Sequence, residues 1–342
     1  MDERFAQMRK IMAECGEDFH KAVPKYEYIT AYPIDQLVEL SKIHFKIMET
    51  ADDAARADLH RRYNELRDSI EMIPNPPEKI MLWPKGKVPT LTEYKENPGL
   101  RHFHDPGFEP YMLEVLLPQD IVPKGAVVTI AGGEQGMNTI NECYEICREF
   151  REKGYQGFIL HSRPNNGPWS PAECGIDAGR ALRIIRANAA KYRIDPDKVA
   201  LAGFSNGGIA VDFCVRYCSG DQKVADYFPG YEPDELDELP GAPDVAILVY
   251  GARHTGTEYD YSRVVYPPTF FATGLLDVKG MENLYDVAWD LMKRGVKLEI
   301  HSFAGQPHGY AGWKIYDGVG HPNFDLWLDH ADNFMQDVYA NR

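Results

Sequence analysis

The run Lys198-Val199-Ala200-Leu201-Ala202-Gly203-Phe204-Ser205-Asn206-Gly207-Gly208 sets the tightest limit on how this chain folds. A short apolar strand pattern ends in Gly-x-Ser-x-Gly and passes directly into a helical pattern, Ile209 to Cys218. A serine in that setting occupies a sharp strand-to-helix turn, its Oγ projecting from the top of a sheet while the helix N-terminus offers N–H groups to an anion. The glycines leave room for close backbone packing around it. Five residues are a weak motif alone, so the surrounding pattern decides its weight.

From Tyr111 onward that pattern is short β-rich runs: Tyr111–Leu117, Ala126–Ala131, Gly157–His161, Lys198–Gly203, Val245–Tyr250, Thr269–Thr273 and Lys297–Ser302. Helical stretches lie between most of them, Asn141–Lys153, Gly175–Tyr192, Gly207–Cys218 and Met281–Arg294, with Asn323–Tyr339 last. Strands alternating with helices predict an α/β fold, a mainly parallel sheet with helices on both faces. Before it, apolar residues at helical spacing (Phe5, Met8, Ile11, Met12; Leu37, Leu40, Ile43, Ile47; Leu59, Tyr63, Leu66, Ile70) predict a helical N-terminal extension. We therefore expect an extension over 1–100, acting as a cap or an oligomer contact, and a catalytic domain over 101–342. Tyr231–Leu239 is acidic and reads as a solvated loop. Ala252–Pro268, after an apolar strand, reads as a wall of the ligand crevice.

With 342 residues and 44% apolar content the chain can bury a sizeable core. A net charge of −15 without a Lys/Arg tract argues against nucleic acid or an anionic membrane as partner. The N-terminal segment MDERFAQMRKIMAECGEDFH lacks a continuous apolar stretch, so a cytoplasmic location is the default expectation. Cys143/Cys147 and Cys214/Cys218, each four apart on expected helices, read as buried small hydrophobes. His102-Phe103-His104-Asp105 lacks further ligands at useful spacing and reads as a surface segment, so no metal is expected.

Acyl transfer through a serine needs a base, an acid to orient the base, and N–H donors for the oxyanion. The chain supplies candidates in the order Ser205, Asp277, His308. Asp277 follows the strand Thr269–Thr273, and His308, in Gln306-Pro307-His308-Gly309-Tyr310, follows the next one. The other histidines fall in strands, in helices or in the prefix, which leaves His254 as the rival base. Gly132 and Gly133, in the turn after Ala126–Ala131, and the N–H of Asn206 are the candidate oxyanion donors. No Lys and no Gly-x-Gly-x-x-Gly register make that turn a phosphate site.

The stretches Ala131-Gly132-Gly133, Lys153-Gly154-Tyr155-Gln156-Gly157-Phe158-Ile159-Leu160, Ile194-Asp195-Pro196-Asp197-Lys198 with the elbow, and Pro307-His308-Gly309-Tyr310 together resemble the α/β-hydrolase esterases of the acetylxylan-esterase and hormone-sensitive-lipase-like type. The resemblance covers roughly residues 110–335. It implies an α/β-hydrolase fold, Ser205 as nucleophile, His308 as base, Asp277 as acid, and Gly132/Gly133 with Asn206 around the oxyanion. The chain departs from the family in placing Glu134 where a third glycine often stands, and Asn206 where Ala or Gln is common.

The expected activity is cleavage of a small carboxylic ester, an acetylated carbohydrate or an aryl ester, with neither metal nor organic cofactor. Glu134, Trp169, Tyr259, Tyr261, Tyr310 and Trp313 lie in loops placed to frame the crevice, where aromatic faces suit sugar or aryl rings. Two other readings stay open: a serine peptidase of the oligopeptidase type and a non-catalytic binding protein on the same fold. The N-terminal helices are a candidate homo-oligomer contact.

Overall fold

The computed structural model describes residues 50–71, 78–93, 107–133, 139–165, 169–252, 262–312 and 326–341, with single positions between 33 and 47. The chain divides into two compact units, Met1–Glu78 with Trp313–Gly320, and Lys79–Gly312 with His321–Arg342. In the first, helix α1 (Asp53–Ser69) begins where the Asp52 side chain accepts the Ala55 N–H at 2.7 Å, and it buries Tyr63. Leu40, Ile43 and Ile47 of the expected second stripe are helical and buried. The first stripe, Phe5 to Met12, lies outside the described residues.

The second unit holds the sheet. Its strands are β1 (Ile80–Met81), β2 (Tyr111–Val115), β3 (Ala126–Ile130), β4 (Gln156–His161), β5 (Val199–Phe204), β6 (Val245–Val249), β7 (Thr269–Gly274) and β8 (Leu298–Phe303). They lie in the order β1-β2-β4-β3-β5-β6-β7-β8. β2 runs antiparallel to β1 and to β4, and the remaining pairings are parallel. Every residue of β3 through β7 is buried. That is why these strands read as apolar runs without alternation: helices cover both faces of a parallel sheet.

The connecting helices are α2 (Ile146–Glu152), preceded by a π-helical turn over Thr139–Glu145, then α3 (Pro171–Ala187), α4 (Ala189–Tyr192), α5 (Asn206–Cys218), α6 (Val224–Tyr227), α7 (Val278–Lys293) and α8 (Leu326–Ala340). A full capping box starts α3, Ser170 accepting from the Glu173 N–H and Glu173 accepting from the Ser170 N–H. Cys143, Cys147, Cys174, Cys214 and Cys218 are buried free thiols. Among the described residues no helix is long and apolar enough to cross a membrane.

Residues 79–93, which the sequence reading places in the extension, contribute β1, paired with β2, and the buried Leu82 and Trp83 of the sheet-bearing unit. Leu82 and Trp83 pack into the hydrophobic core, and Trp83 Nε1–H also donates to Asp177 at 2.8 Å inside a fully buried Arg163–Asp177 pair. The acidic stretch is solvent-facing, as its composition suggests, with no buried residue in its turn. It forms a 3₁₀ turn at Glu235–Glu238, and the buried Arg180 guanidinium engages Asp234 through both terminal nitrogens.

Candidate active site

β5 ends at Phe204 and α5 begins at Asn206, so Ser205 makes the whole turn by itself. It does so in a conformation L-residues rarely adopt, φ 53° and ψ −118°, which costs of order 1–3 kcal/mol and persists only when neighbours over-determine it. They do: the Ser205 N–H donates to Val249 at 3.0 Å, and its carbonyl accepts the Gly208 N–H at 2.9 Å. A Cβ on Gly203 would stand 2.1 Å from the Gly207 carbonyl oxygen, and one on Gly207 2.1 Å from that of Ile130. Only glycine lets α5 start this close to β5 and β3.

His308 Nε2 lies 2.8 Å from Ser205 Oγ, and His308 Nδ1 lies 2.5 Å from Asp277 Oδ2. Asp277 caps α7, its Oδ1 accepting the Gly280 N–H at 3.1 Å, so one carboxylate oxygen is spent on the helix and the other is aimed at the imidazole. The Asp277 side chain is 10% exposed and that of His308 is 42% exposed, so the acid is sheltered while the base stays reachable. The three residues thus form one hydrogen-bonded line from the ends of β5, β7 and β8. His254 lies outside the described residues.

The turn after β3 is arranged differently from the sequence expectation. Gly132 was named with Gly133 around the oxyanion, but the Gly132 N–H donates to Glu142 Oε2 at 2.6 Å and is therefore turned into the protein. Gly133 adopts the left-handed conformation, φ 58°, and its carbonyl accepts from Asn206 Nδ2 at 3.4 Å, a bond that joins the turn to the elbow. Asn165 Nδ2 donates to the Asn206 carbonyl at 3.0 Å. The other Glu142 oxygen, Oε1, accepts from the Tyr250 hydroxyl at 2.7 Å. Burial pushes the Glu142 carboxyl above its ordinary value against the opposing pull of these two bonds, and burial holds the Tyr250 phenol well above its own.

Sequence reasoning missed Glu142 and Tyr250. The available signal was a glutamate one position from Cys143 on the face that buries Cys143, Ile146, Cys147 and Phe150. Among the expected crevice residues, Tyr310 is instead fully buried, its ring packed on Tyr250 and Phe303. Trp169 is 5% exposed and packs near the Arg163 guanidinium, 5.5 Å from ring centroid to cation. Glu134, Tyr259, Tyr261 and Trp313 lie outside the described residues.

Glu299, His301 and His330 form a separate polar cluster, with their ligand atoms within 4.8 Å of one another. His301 Nε2 is 2.6 Å from Glu299, and the two imidazoles stack at 4.0 Å and 16°. Parallel rings carry their lone pairs side by side instead of converging them on one ion, so a hydrogen bond and a ring stack account for the cluster.

A mainly parallel sheet of this order, with a serine elbow after β5, an acid after β7 and a histidine after β8, is the α/β-hydrolase fold. Residues 113–214 match the BD-FAE family. The chain is 32% identical over 152 residues to endo-1,4-beta-xylanase B of Butyrivibrio fibrisolvens, a match covering 44% of this chain and 22% of that protein. The chain thus spans under a quarter of the length of that relative. An acetyl ester-xyloside bifunctional hydrolase from Caldicellulosiruptor lactoaceticus has a similar fold, with TM-score 0.57 and 21% identity over 77% of this chain and 96% of that one. A thermophilic esterase from Thermogutta terrifontis, solved with butyrate bound, has TM-score 0.51 and 17% identity over 74% of this chain and 95% of that one.

Proposed function

We propose that this chain is a serine carboxylic-ester hydrolase for short acyl groups, with acetylated carbohydrate or a small aryl ester as the substrate class. The observation that carries the reading is the unbroken line Ser205–His308–Asp277, 2.8 and 2.5 Å long. Ser205 Oγ attacks the acyl carbonyl as His308 Nε2 takes its proton, and Asp277 stabilises the resulting imidazolium. The carbonyl oxygen becomes an oxyanion beside the N–H groups of Gly133 and Asn206. Collapse breaks the ester bond, and the leaving alcohol takes the proton from His308. Water, deprotonated by His308, then attacks the acyl-enzyme; collapse breaks the Ser205 ester bond, His308 returns the proton to Ser205 Oγ, and the carboxylic acid is released.

The acetyl ester-xyloside hydrolase and the butyrate-bound esterase named above support a short acyl group on this fold. The exposed His308 needs no strongly apolar lid to reach its substrate. Labelling with a fluorophosphonate and mapping the adduct to Ser205 tests the nucleophile. A p-nitrophenyl ester series tests the acyl group: kcat/KM should peak at two to four carbons and fall at least about tenfold by eight, a penalty of ~1.4 kcal/mol. Each methylene in a long apolar channel would instead add up to about 0.8 kcal/mol, so a rise through eight carbons would overturn the short-acyl assignment.

A further inference from the structure

Glu142 is a buried carboxyl that the acyl-transfer steps above leave unused. Among the described residues no lysine or arginine pairs with it, and an unpaired charge in a dry interior is costly. What it does have is two donors from different parts of the fold. Oε2 takes the Gly132 N–H at 2.6 Å and Oε1 takes the Tyr250 hydroxyl at 2.7 Å. Gly132 lies in the turn after β3, and Tyr250 directly follows β6. These two strands flank β5, whose end carries Ser205. Glu142 therefore bridges the loops on either side of the elbow.

Both partners also border the reacting groups. The Gly132 turn continues into Gly133, whose carbonyl accepts from the Asn206 side chain. The Tyr250 ring lies 5.0 Å from the His308 ring, on a residue held at φ 40° by its N–H bond to Ala272 at 2.7 Å. Glu142 itself rides on the π-helical turn Thr139–Glu145, an irregular form found disproportionately at functional sites.

We propose that Glu142 is the positioning residue of the oxyanion turn: by hydrogen bonding, not by charge, it fixes the Gly132–Gly133 backbone against the elbow and seats Tyr250 beside His308. The inference rests on the ester-hydrolase reading above. A negative charge this close to the turn would oppose a developing oxyanion, so the useful property of the side chain is its pair of hydrogen-bonding oxygens. Either protonation state can hold both partners, since a tyrosine hydroxyl donates or accepts. Glutamine can hold both as well, with its carbonyl accepting from Gly132 and its NH₂ donating to Tyr250. Aspartate falls one methylene short of bridging them.

The test is steady-state hydrolysis of p-nitrophenyl acetate, together with inhibition by an alkyl trifluoromethyl ketone, whose serine adduct places an oxyanion in the turn. Glu142→Ala should lower kcat by about 10²-fold, the scale of losing one oxyanion donor. KM should stay within about threefold, and ketone affinity should fall in step with kcat. Glu142→Gln should restore both to within about fivefold of the parent, and its pH–rate profile should superimpose on the parent's. Tyr250→Phe should lose about tenfold in kcat. Should the alanine variant not fold, Glu142→Asp carries the test with the same expected direction. A kcat within threefold of the parent for the alanine or aspartate variant, with Ser205→Ala inactive, would overturn the proposal and leave the hydrolase reading standing. Glu142→Gln as impaired as Glu142→Ala would overturn it in favour of a charge role. Full turnover by Ser205→Ala would instead overturn the hydrolase reading itself.

Discussion

His308 Nε2 stands 2.8 Å from Ser205 Oγ although the two residues lie 103 positions apart in the chain. Each sits in a loop past the end of a strand, so removing either side chain should spare the core. Ser205→Ala and His308→Ala are each expected to lower kcat on a short activated ester by about 10⁴-fold or more with an unchanged unfolding midpoint. Asp277→Asn should also be severe, while Asp290→Asn, on the helix that Asp277 caps but paired with Arg294 away from the triad, should leave kcat unchanged. Near-normal turnover by the serine variant would remove Ser205 as nucleophile.

Gly251 lies directly behind the elbow, where an added Cβ would sit 2.0 Å from the Ser205 carbonyl oxygen. The obstacle is backbone, not a side chain that can rotate away. Gly251→Ala should therefore displace the elbow, lowering kcat by about 10²-fold and stability by about 1–3 kcal/mol. Urea titration and kinetics on one preparation would check both. A variant with parental kcat would mean that the turn yields without moving Oγ.

The Arg163–Asp177 pair is fully buried, with Arg163 Nε and Nη2 on the two Asp177 oxygens at 2.8 and 2.7 Å and the Trp83 indole N–H on Oδ1. Asp177→Ala would strip the buried Arg163 guanidinium of its two-point partner and leave only Glu173, 3.7 Å away, to offset its charge. The expected loss is about 3–5 kcal/mol, measured as a shift in the urea midpoint. A change below about 1 kcal/mol would show that water or another acceptor takes over the guanidinium.

Glu142 adds a pH dependence to stability whose sign follows from its raised pKa. Its carboxyl binds a proton more tightly folded than unfolded, where the ordinary value is near 4.5. Between the unfolded and folded values the native state therefore holds more protons, so this group's contribution falls as pH rises through that window. The parent should lose stability relative to Glu142→Gln when the pH is raised from about 4 to about 8. Parallel Tm curves for the two proteins would show that Glu142 ionises as freely in the fold as outside it.

The pocket aromatics mark where sequence reading reached its limit. Polar loop surroundings suggested exposure for Trp169 and Tyr310, yet Trp169 packs near Arg163 and Tyr310 is buried against Tyr250 and Phe303. The direction of a loop side chain depends on what the rest of the fold puts next to it. The acidic stretch faces solvent as its composition suggests, but its pairing with Arg180, 54 positions away, left no local trace.

What the sequence alone determined is whatever local pattern encodes. Apolar runs marked β3 through β7 because strands buried on both faces must be apolar almost throughout, and the Gly-x-Ser-x-Gly turn located Ser205 because only glycines permit that approach of strand and helix. The order of Ser205, Asp277 and His308 after successive strands was legible for the same reason. Tertiary structure decided everything that rests on contact between distant residues: β1 pairing with β2, Trp83 meeting Asp177, the Gly132 N–H turning to Glu142, and Glu142 joining Tyr250 across 108 positions. A side chain's partner is set by packing and by the need to satisfy buried polar groups, and neither leaves a periodic trace in the sequence.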